Sequence, residues 1–305
     1  MVQFAGPAKR KHSSLDTSRQ FYLFISPWII GFLCFTAGPM LYSLYAAFSE
    51  WNGVTSPLFS GLDNWRKMLF DDALFWRSIK NTFYYALVSV PLNMMIALFL
   101  AQMLNKKMRG TYFFRSVFYL PSVVAGVSVY IVWRYMFDPF SGVINDFLYA
   151  LGIEGPMWLF DEKWAMPSLI LMNVFTCGRA MLILLAGLQD IPSEQYEAAA
   201  LDGASNWQVF WRITFPLLTP VIFFNLIMSI IGSLQIFAQP QIMTQGGPMY
   251  ATYVYGLHLY NNAFRYNDFG YASTLAWALF FIILVLSLVI FKSSTLWVHY
   301  QEGVD

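Results

Sequence analysis

The stretch EQYEAAALDGASNWQVFWRITFPLLTP, residues 194–220, lies between two long apolar runs yet carries two glutamates, an aspartate and a row of small residues. Ser193 follows a proline and suits the N-terminus of a short helix over 194–201. Gly203 supplies the left-handed residue that ends such a helix. The first half of the stretch therefore predicts a two-turn helix closed by a glycine turn.

The second half of the stretch begins with its own helix signal. Ser205 and Gln208 fit the S-x-x-Q capping box, in which each side chain bonds the backbone of the other residue. We expect a second short helix from about Asn206 to Ile213, which Pro216 stops. Together the two halves predict a helix–turn–helix element.

The composition around this element is that of a membrane protein. Of 305 residues, 58% are hydrophobic and 11% are charged, whereas about 25% are charged in an ordinary soluble domain. The net charge of +1 gives no basic face for nucleic acid. Cys34 and Cys177 lie in apolar runs and are interpreted as small hydrophobic residues, and the three histidines show no metal-ligand spacing. We predict neither a catalytic nor a metal site.

Six apolar windows are long enough to cross a bilayer, which needs about 20 residues each. The fold prediction is thus an all-α integral membrane protein with six transmembrane helices and the helix–turn–helix between spans four and five. Thr219 and Pro220 are expected as the N-cap and first residue of span five. The predicted spans lie near 22–48, 79–104, 116–136, 166–188, 217–242 and 271–292.

The distribution of Lys and Arg orients these spans. With the N-terminus inside, the inner segments hold ten basic residues: Lys9, Arg10, Lys11, Arg19, Lys106, Lys107, Arg109, Arg115, Arg212 and Lys292. The outer segments hold five: Arg66, Lys67, Arg77, Lys163 and Arg265. The positive-inside rule therefore places both termini in the cytoplasm. The predicted organisation is a cytoplasmic segment 1–21, a six-span domain 22–292 with its loop at 190–216, and a cytoplasmic tail 293–305.

The two short helices need a support, because isolated helices under about 12–15 residues are marginal in water. Their expected exposed side is unusually apolar for a solvated loop and indicates a docking surface. An amphipathic hairpin lying on lipid headgroups explains the same pattern equally well. The set comprises Tyr196, Ala198, Ala199, Ala200, Leu201, Trp207, Val209 and Phe210.

The stretch resembles the EAA loop of the membrane subunits of binding-protein-dependent ABC importers. The matching residues are Glu197, Ala198, Ala199, Asp202 and Gly203, then, after nine residues, Ile213, Phe215 and Pro216. Phe215 departs from the usual leucine. The resemblance extends over nearly the whole chain and narrows to carbohydrate-type permeases through GLDNW at 61–65, FRSVFYLP at 114–121 and GGPMYAT at 246–252.

This resemblance implies a function and a set of partners. The loop would form the coupling helix that seats in a cleft of an ATPase subunit, with Glu197 in an ion pair and Gly203 at the turn. The implied partners are a second homologous permease, two cytoplasmic ATPase subunits, an extracytoplasmic solute-binding protein and the lipid of a bacterial inner membrane. The chain has no GxxxxGK[ST] motif, so we expect no cofactor here and ATP with Mg²⁺ on the ATPase subunits.

The substrate path is expected at polar residues inside the spans. Arg179 lies near the middle of span four, and none of the six predicted spans contains an acidic residue. A charge at midplane must face a cavity or a partner. Either Arg179 meets an anionic group of the solute, such as a uronate, or it bonds backbone carbonyls, a polar network or the partner permease. Further candidates for sugar hydroxyls or interhelical bonds are Asn93, Asn173, Asn225, Gln235 and Gln239.

Two other classes of membrane protein are possible from composition. A secondary transporter driven by an ion gradient usually needs intramembrane carboxylates, which the predicted spans lack. A membrane-embedded enzyme needs a nucleophile with its base or a metal cluster, and no GxSxG or HExxH occurs. Both classes leave the helix–turn–helix without a role. The preferred interpretation is therefore a permease subunit for sugars, and for oligosaccharides above all.

Overall fold

The computed structural model describes residues 14–106, 109–124 and 126–299. Lys9, Arg10, Lys11 and Lys107, which contribute to the orientation argument, lie outside these ranges, as do 1–13 and 300–305 of the predicted terminal segments. The first half of the chain forms α1 (Ser14–Phe32), α2 (Gly38–Ala46), β1 (Ser49–Glu50), β2 (Leu58–Phe59), α3 (Asp63–Arg66), α4 (Ala73–Asn105), α5 (Thr111–Val123), α6 (Gly126–Met136) and α7 (Val143–Ala150). The second half forms α8 (Glu162–Phe175), α9 (Gly178–Gln189), α10 (Ser193–Leu201), α11 (Asn206–Val209), α12 (Phe215–Leu234), α13 (Ala238–Met243), α14 (Tyr255–Tyr260) and α15 (Phe269–Ser294).

Shorter turns connect or extend these helices. Strands β1 and β2 pair antiparallel, with Ser49 opposite Phe59. A 3₁₀ turn covers Trp158–Phe160. Wider π-type turns cover Leu33–Ala37, Lys67–Asp71, Phe210–Thr214 and Asn261–Arg265.

The described helices provide up to six membrane spans. Four unbroken helices are long and apolar enough to cross a bilayer: Phe21–Ala46, Ala73–Asn105, Asn206–Leu234 and Phe269–Ser294. Two bent pairs pass the same test, α5 with α6 and α8 with α9. The all-α membrane fold is therefore confirmed, with two of its six spans broken.

Span three differs from the continuous helix predicted over 116–136. The chain bends by 98° between α5 and α6. Pro121 has no N–H, so the last turn of α5 lacks one backbone hydrogen bond, and Val124 adopts an extended conformation. Beyond the bend, Tyr130 and Trp133 of α6 pack into an apolar cluster with Met243 of α13. This packing holds α6 out of line with α5.

Span four is also broken where a helix over 166–188 was expected. Helix α8 ends at Phe175, α9 begins at Gly178, and the two axes differ by 43°. At Gly178 an added Cβ would overlap the carbonyl oxygen of Phe118 in α5. Glycine at this position thus permits a backbone-to-backbone crossing of α5 and α9.

Span five begins earlier and ends earlier than predicted over 217–242. Pro216 does not stop the second short helix, because the π-type turn Phe210–Thr214 widens the backbone before it and the helix continues unbroken from Asn206 to Leu234. The chain leaves the helix at Gln235, so 238–242 belong to the separate short helix α13. The second short helix of the predicted helix–turn–helix and span five are therefore one continuous helical rod, which begins at Asn206.

Thr219 and Pro220 lie inside α12 and do not cap it. Pro220 cannot donate to the carbonyl of Pro216, four residues earlier. The hydroxyl of Thr219 donates to that carbonyl at 2.6 Å, and it accepts the backbone N–H of His299 at 2.9 Å. The threonine therefore replaces the bond that proline removes, as a membrane helix requires.

The two largest apolar clusters in the described residues hold most of the helices together. One joins α4, α6, α8 and α14, with Tyr85, Leu169, Met172 and Leu257 almost fully buried. The other joins α4, α9 and α12 close to α10, and centres on Leu184, Leu218 and Ala101. The second cluster is the base on which α10 rests.

The opposite end of the bundle is held by a polar network around Asp72, which caps α4 by accepting the N–H groups of Leu74 and Phe75. Its carboxylate accepts the Tyr271 hydroxyl at 2.6 Å and lies 3.0 Å from Nε2 of the buried His258. Burial favours the neutral carboxyl, but the Tyr271 hydrogen bond, His258 and the two N–H groups hold the pKa of Asp72 below its usual value. Burial also lowers the pKa of His258, against the opposing effect of Asp72. The imidazole is therefore neutral near pH 7 and donates from Nε2.

Candidate functional site

Helix α10 covers Ser193–Leu201, one residue more than the predicted 194–201. Gly203 has φ +71° and ends it. The N–H of Ala204 bonds the carbonyl of Ala199 at 3.0 Å, and the N–H of Gly203 bonds that of Ala200 at 3.2 Å. These are the two bonds of a Schellman turn, which satisfies carbonyls that a helix end leaves free.

The predicted capping box is present at the next turn. The Ser205 N–H donates to the Gln208 side chain at 2.8 Å, and the Gln208 N–H donates to the Ser205 hydroxyl at 3.4 Å. These bonds start the rod that continues into span five. The helix runs without a break from Asn206 into the spanning part of α12.

The exposed surface of the element is smaller than expected. Tyr196 packs against the apolar cluster beneath α10 and its hydroxyl lies 3.3 Å from that of Thr214, because it sits on the inner side of the helix. Ala199 is 6% exposed for the same reason. Leu201 and Trp207 do face outward, with 90% and 71% of their surface exposed. An apolar surface remains, built mainly by the residues on either side of Gly203.

A concavity of about 440 Å³ lies between α10 and the start of the rod. Five of the residues with a predicted coupling role line it: Ala198, Ala199, Asp202, Gly203 and Ile213. Glu197 is exposed beside it and forms no ion pair within the described residues. Pro216 lies inside the helical rod, away from the concavity. The element thus presents a cleft, an apolar rim and three exposed carboxylates, those of Glu194, Glu197 and Asp202, none of which forms an ion pair in the described residues.

A second cavity, of about 770 Å³, lies among α4, α6, α8, α9, α12 and α13. The structure brings all six predicted substrate-path residues to its wall: Asn93, Asn173, Arg179, Asn225, Gln235 and Gln239. An adjoining cavity of about 330 Å³ shares Asn173, Arg179 and Gln239 with it. Their hydrogen bonds divide these six residues into two groups.

Asn93 and Asn173 are largely engaged by the break in span four. Asn93 Nδ2 donates to the carbonyl and the side-chain oxygen of Asn173, at 3.0 and 3.2 Å. The Thr176 hydroxyl donates to the same carbonyl at 2.8 Å. At this point the regular helical bond is lost, so these side chains stabilise exposed backbone of the broken helix.

Gln239 and Asn225 are engaged as well. Gln239 is 4% exposed, accepts the Tyr85 hydroxyl at 3.1 Å and donates to the carbonyl of Leu169 at 2.7 Å. Asn225 is 5% exposed and donates to the carbonyl of Val221, one turn back in its own helix, at 3.0 Å. Both amides stabilise packing between or within helices.

Arg179 and Gln235 form the second group. Both are exposed to the cavity, and neither side chain has a hydrogen bond or an ion pair to another residue in the described parts of the chain. Arg179 is the second residue of α9, directly after the break in span four. Gln235 directly follows the end of α12. Their donors and acceptors are free for a solute or a partner chain.

Sequence reasoning missed several hydroxyls on this wall. Tyr85 and Ser89 precede Asn93 at intervals of four in α4, and Ser229 and Ser233 follow Asn225 at the same interval in α12. Residues four apart share a helix face. The interval of four is the sequence signal that could have identified these hydroxyls. They extend the polar wall of the cavity along two helices.

The comparisons with known proteins agree with this architecture. Residues 93–297 match the family described as binding-protein-dependent transport system inner membrane component. A probable ABC transporter permease protein of Bacillus subtilis, YesP, is 44% identical over 302 residues, 98% of this chain and 97% of that protein. The lactose transport system permease protein LacF of Rhizobium radiobacter is 37% identical over 280 residues, 90% of this chain and 93% of that protein.

A solved structure shows the same fold. A chain of the bacterial alginate ABC transporter, crystallised with an alginate pentasaccharide-bound periplasmic protein, superimposes with a TM-score of 0.82 and 24% identity, covering 94% of this chain and 97% of that one. Apolar spans around a polar cavity define a multi-pass membrane transport protein. The chain belongs to the binding-protein-dependent transport family and is a permease subunit of an ABC importer.

Proposed function

We propose that this chain forms half of the translocation pore of an ATP-driven importer of oligosaccharides. The lactose permease and the alginate transporter among its relatives are named for saccharides. The cavity wall carries amides and hydroxyls, which donate to and accept from sugar hydroxyls. These two facts support a saccharide as the solute.

The helix–turn–helix around Gly203 carries the proposal. We assign Glu197, Ala198, Ala199, Asp202, Gly203, Ile213 and Pro216 to coupling with an ATPase subunit. The free carboxylate of Glu197 suits a basic side chain of that subunit, and the unbroken rod from Asn206 to Leu234 joins this surface to the cavity wall. ATPase closure would therefore move α12 directly.

The proposed assembly has a defined orientation. The ratio of basic residues supports an orientation with α10 and both termini in the cytoplasm of a bacterial cell, and with the Asp72 network on the outer side of the inner membrane. A solute-binding protein delivers the saccharide at the outer side. A second homologous permease completes the pore, and two ATPase subunits bind ATP and Mg²⁺.

Charge reversal at α10 tests the proposal. The tagged chain is purified in mild detergent from its native cells, and the copurifying proteins and the retained ATPase activity are measured for wild type, Glu197→Lys and Glu194→Lys. Glu194 is a matched control, since it is exposed on the same helix without an ion pair in the described residues.

The expected result is that Glu197→Lys loses the ATPase subunits and keeps the second permease, whereas Glu194→Lys retains most of both. A free carboxylate that meets a basic partner explains this difference. Equal retention by both variants, or a wild-type chain that purifies alone, would contradict the coupling role of residues 194–216.

A further inference from the structure

Arg179 is the one cation on the walls of the 770 Å³ cavity and of its 330 Å³ neighbour, counted over the described residues. Both walls lack Asp and Glu among the residues the structure describes there. A guanidinium keeps its charge at physiological pH, and an uncompensated charge at membrane depth is costly. The cavity therefore holds a positive charge that nothing in the described chain neutralises.

The nearby backbone does not compensate this charge. The carbonyl of Asn173, freed by the break in span four, already accepts the side chains of Asn93 and Thr176 and the Thr176 N–H. The carbonyl of Val174 accepts the N–H of Cys177. These two carbonyls are thus used by other donors, and the guanidinium of Arg179 has no partner in the described parts of the chain.

The neighbourhood of Arg179 matches an acidic sugar. A guanidinium binds a carboxylate through two parallel hydrogen bonds, and this geometry distinguishes it from neutral groups. Gln235 has a free amide on the same wall, suited to a hydroxyl. One carboxylate site beside neutral donors and acceptors is what an acidic saccharide requires.

A second basic pocket precedes the cavity along α4. This pocket, of about 670 Å³, is lined by Arg77, Lys80 and Lys163 against the single carboxylate of Glu162. Asn81 lines it, and Tyr85, one turn further along α4 and about 6 Å away by helical rise, lines the cavity. Positive charge thus lies in two places, at the end of α4 that holds Asp72 and at Arg179 in the cavity.

We propose that the cavity binds the carboxylate of an acidic oligosaccharide through Arg179, and that this residue determines selectivity for acidic over neutral solutes. The inference rests on the proposed import of saccharides and names their class. Arg179 contacts the carboxylate, and Gln235 contacts a neighbouring hydroxyl.

The test uses the complete membrane assembly in lipid nanodiscs, without the binding protein, so that only the cavity can select. Binding of trigalacturonate and of its fully methyl-esterified form is measured by calorimetry at low and moderate salt. The variants are Arg179→Gln, Arg179→Lys and, as a matched control, Arg134→Gln. Arg134 is an exposed arginine of α6 that does not line the cavity.

We expect wild type to bind the acid about 10- to 100-fold more tightly than the ester, the usual range for hydrogen bonds to a charged group. Arg179→Gln brings the acid to the affinity of the ester and leaves the ester unchanged. Arg179→Lys keeps part of the preference, and Arg134→Gln keeps all of it. Added salt weakens binding of the acid and leaves binding of the ester unchanged. This comparison uses wild type alone, so it does not depend on how the variants fold.

Equal affinity of wild type for acid and ester, including no binding of either, overturns the proposal. So does an Arg179→Gln variant that weakens both ligands alike or loses the second permease, because Arg179 then serves the interface between subunits. Retention of the ATPase subunits by the Glu197→Lys and Glu194→Lys variants measures binding between subunits and not binding of the solute. A failed coupling test with an intact acid preference would therefore refute the proposed function alone.

Discussion

Replacing Gly203 tests whether the turn of the helix–turn–helix has the backbone described above. The residue has φ +71°, and a Cβ added there would meet nothing within 4 Å. A side chain would therefore be disfavoured by its backbone conformation and not by a clash. The series Gly203→Asn, Gly203→Ala and Gly203→Val separates these effects, since asparagine tolerates the left-handed region and a β-branched residue does not.

The size of the expected stability loss follows from the left-handed backbone conformation of Gly203. A left-handed L-residue costs about 1–2 kcal/mol, and alanine offsets part of this by restricting the unfolded chain. We expect a net loss of local stability near zero for Gly203→Asn, about 1 kcal/mol for Gly203→Ala and about 2 kcal/mol for Gly203→Val. One to two kcal/mol corresponds to a 5- to 30-fold larger population of the opened turn.

Limited proteolysis with a Glu-specific protease measures this opening, because Glu194 and Glu197 lie in the preceding helix. When closing is faster than cleavage, the cleavage rate follows the opened population. Cleavage should accelerate about fivefold for Gly203→Ala and up to about 30-fold for Gly203→Val. Gly31→Ala is the control, since its Cβ also meets nothing and its backbone is helical. Equal rates for Gly203→Val and wild type would refute the Schellman turn.

Two further predictions concern the rest of the bundle. Leu218→Ala should reduce stability by about 2–5 kcal/mol, because Leu218 of α12 is fully buried against α9. Leu288→Ala should cost far less, since Leu288 is 59% exposed. Thermal unfolding in detergent compares the two variants, and similar losses would contradict the assigned packing. Acidification from pH 7.5 to 5.5 should lower the unfolding temperature. Burial lowers the pKa of His258 in the folded state. The unfolded chain therefore takes up a proton first as the pH falls through about 6.5, and the folded state loses stability relative to it. His258→Gln should weaken that pH dependence, and an unchanged dependence would show that His258 does not contribute it.

The sequence predicted the elements that local chemistry determines. Helix α10, its end at Gly203 and the Ser205 capping box follow from residues within a few positions of each other. Six apolar windows predicted the number of spans because length and hydrophobicity decide whether a segment can cross a bilayer. Local signals sufficed where the structure depends on them alone.

The errors arose where distant contacts or wider turns decide the backbone. The bend in span four depends on the approach of Phe118 to Gly178, two residues about 60 positions apart. Pro216 is tolerated because a π-type turn precedes it, and no residue pattern in the stretch predicts that turn. The six cavity residues were found by their polarity, but their division into engaged and free groups required the hydrogen bonds.

The broken span explains why polar residues of two kinds share one cavity. Interrupting a helix inside a membrane exposes backbone groups that lipid cannot satisfy, so donors must be supplied from neighbouring helices. Asn93 and Thr176 do this for Asn173, as Thr219 does beside Pro220. Once these bonds are assigned, most intramembrane amides have a structural role. Arg179 and Gln235 are left over, and because the membrane penalises polar groups without partners, such residues are expected to persist only where a ligand or another subunit binds them.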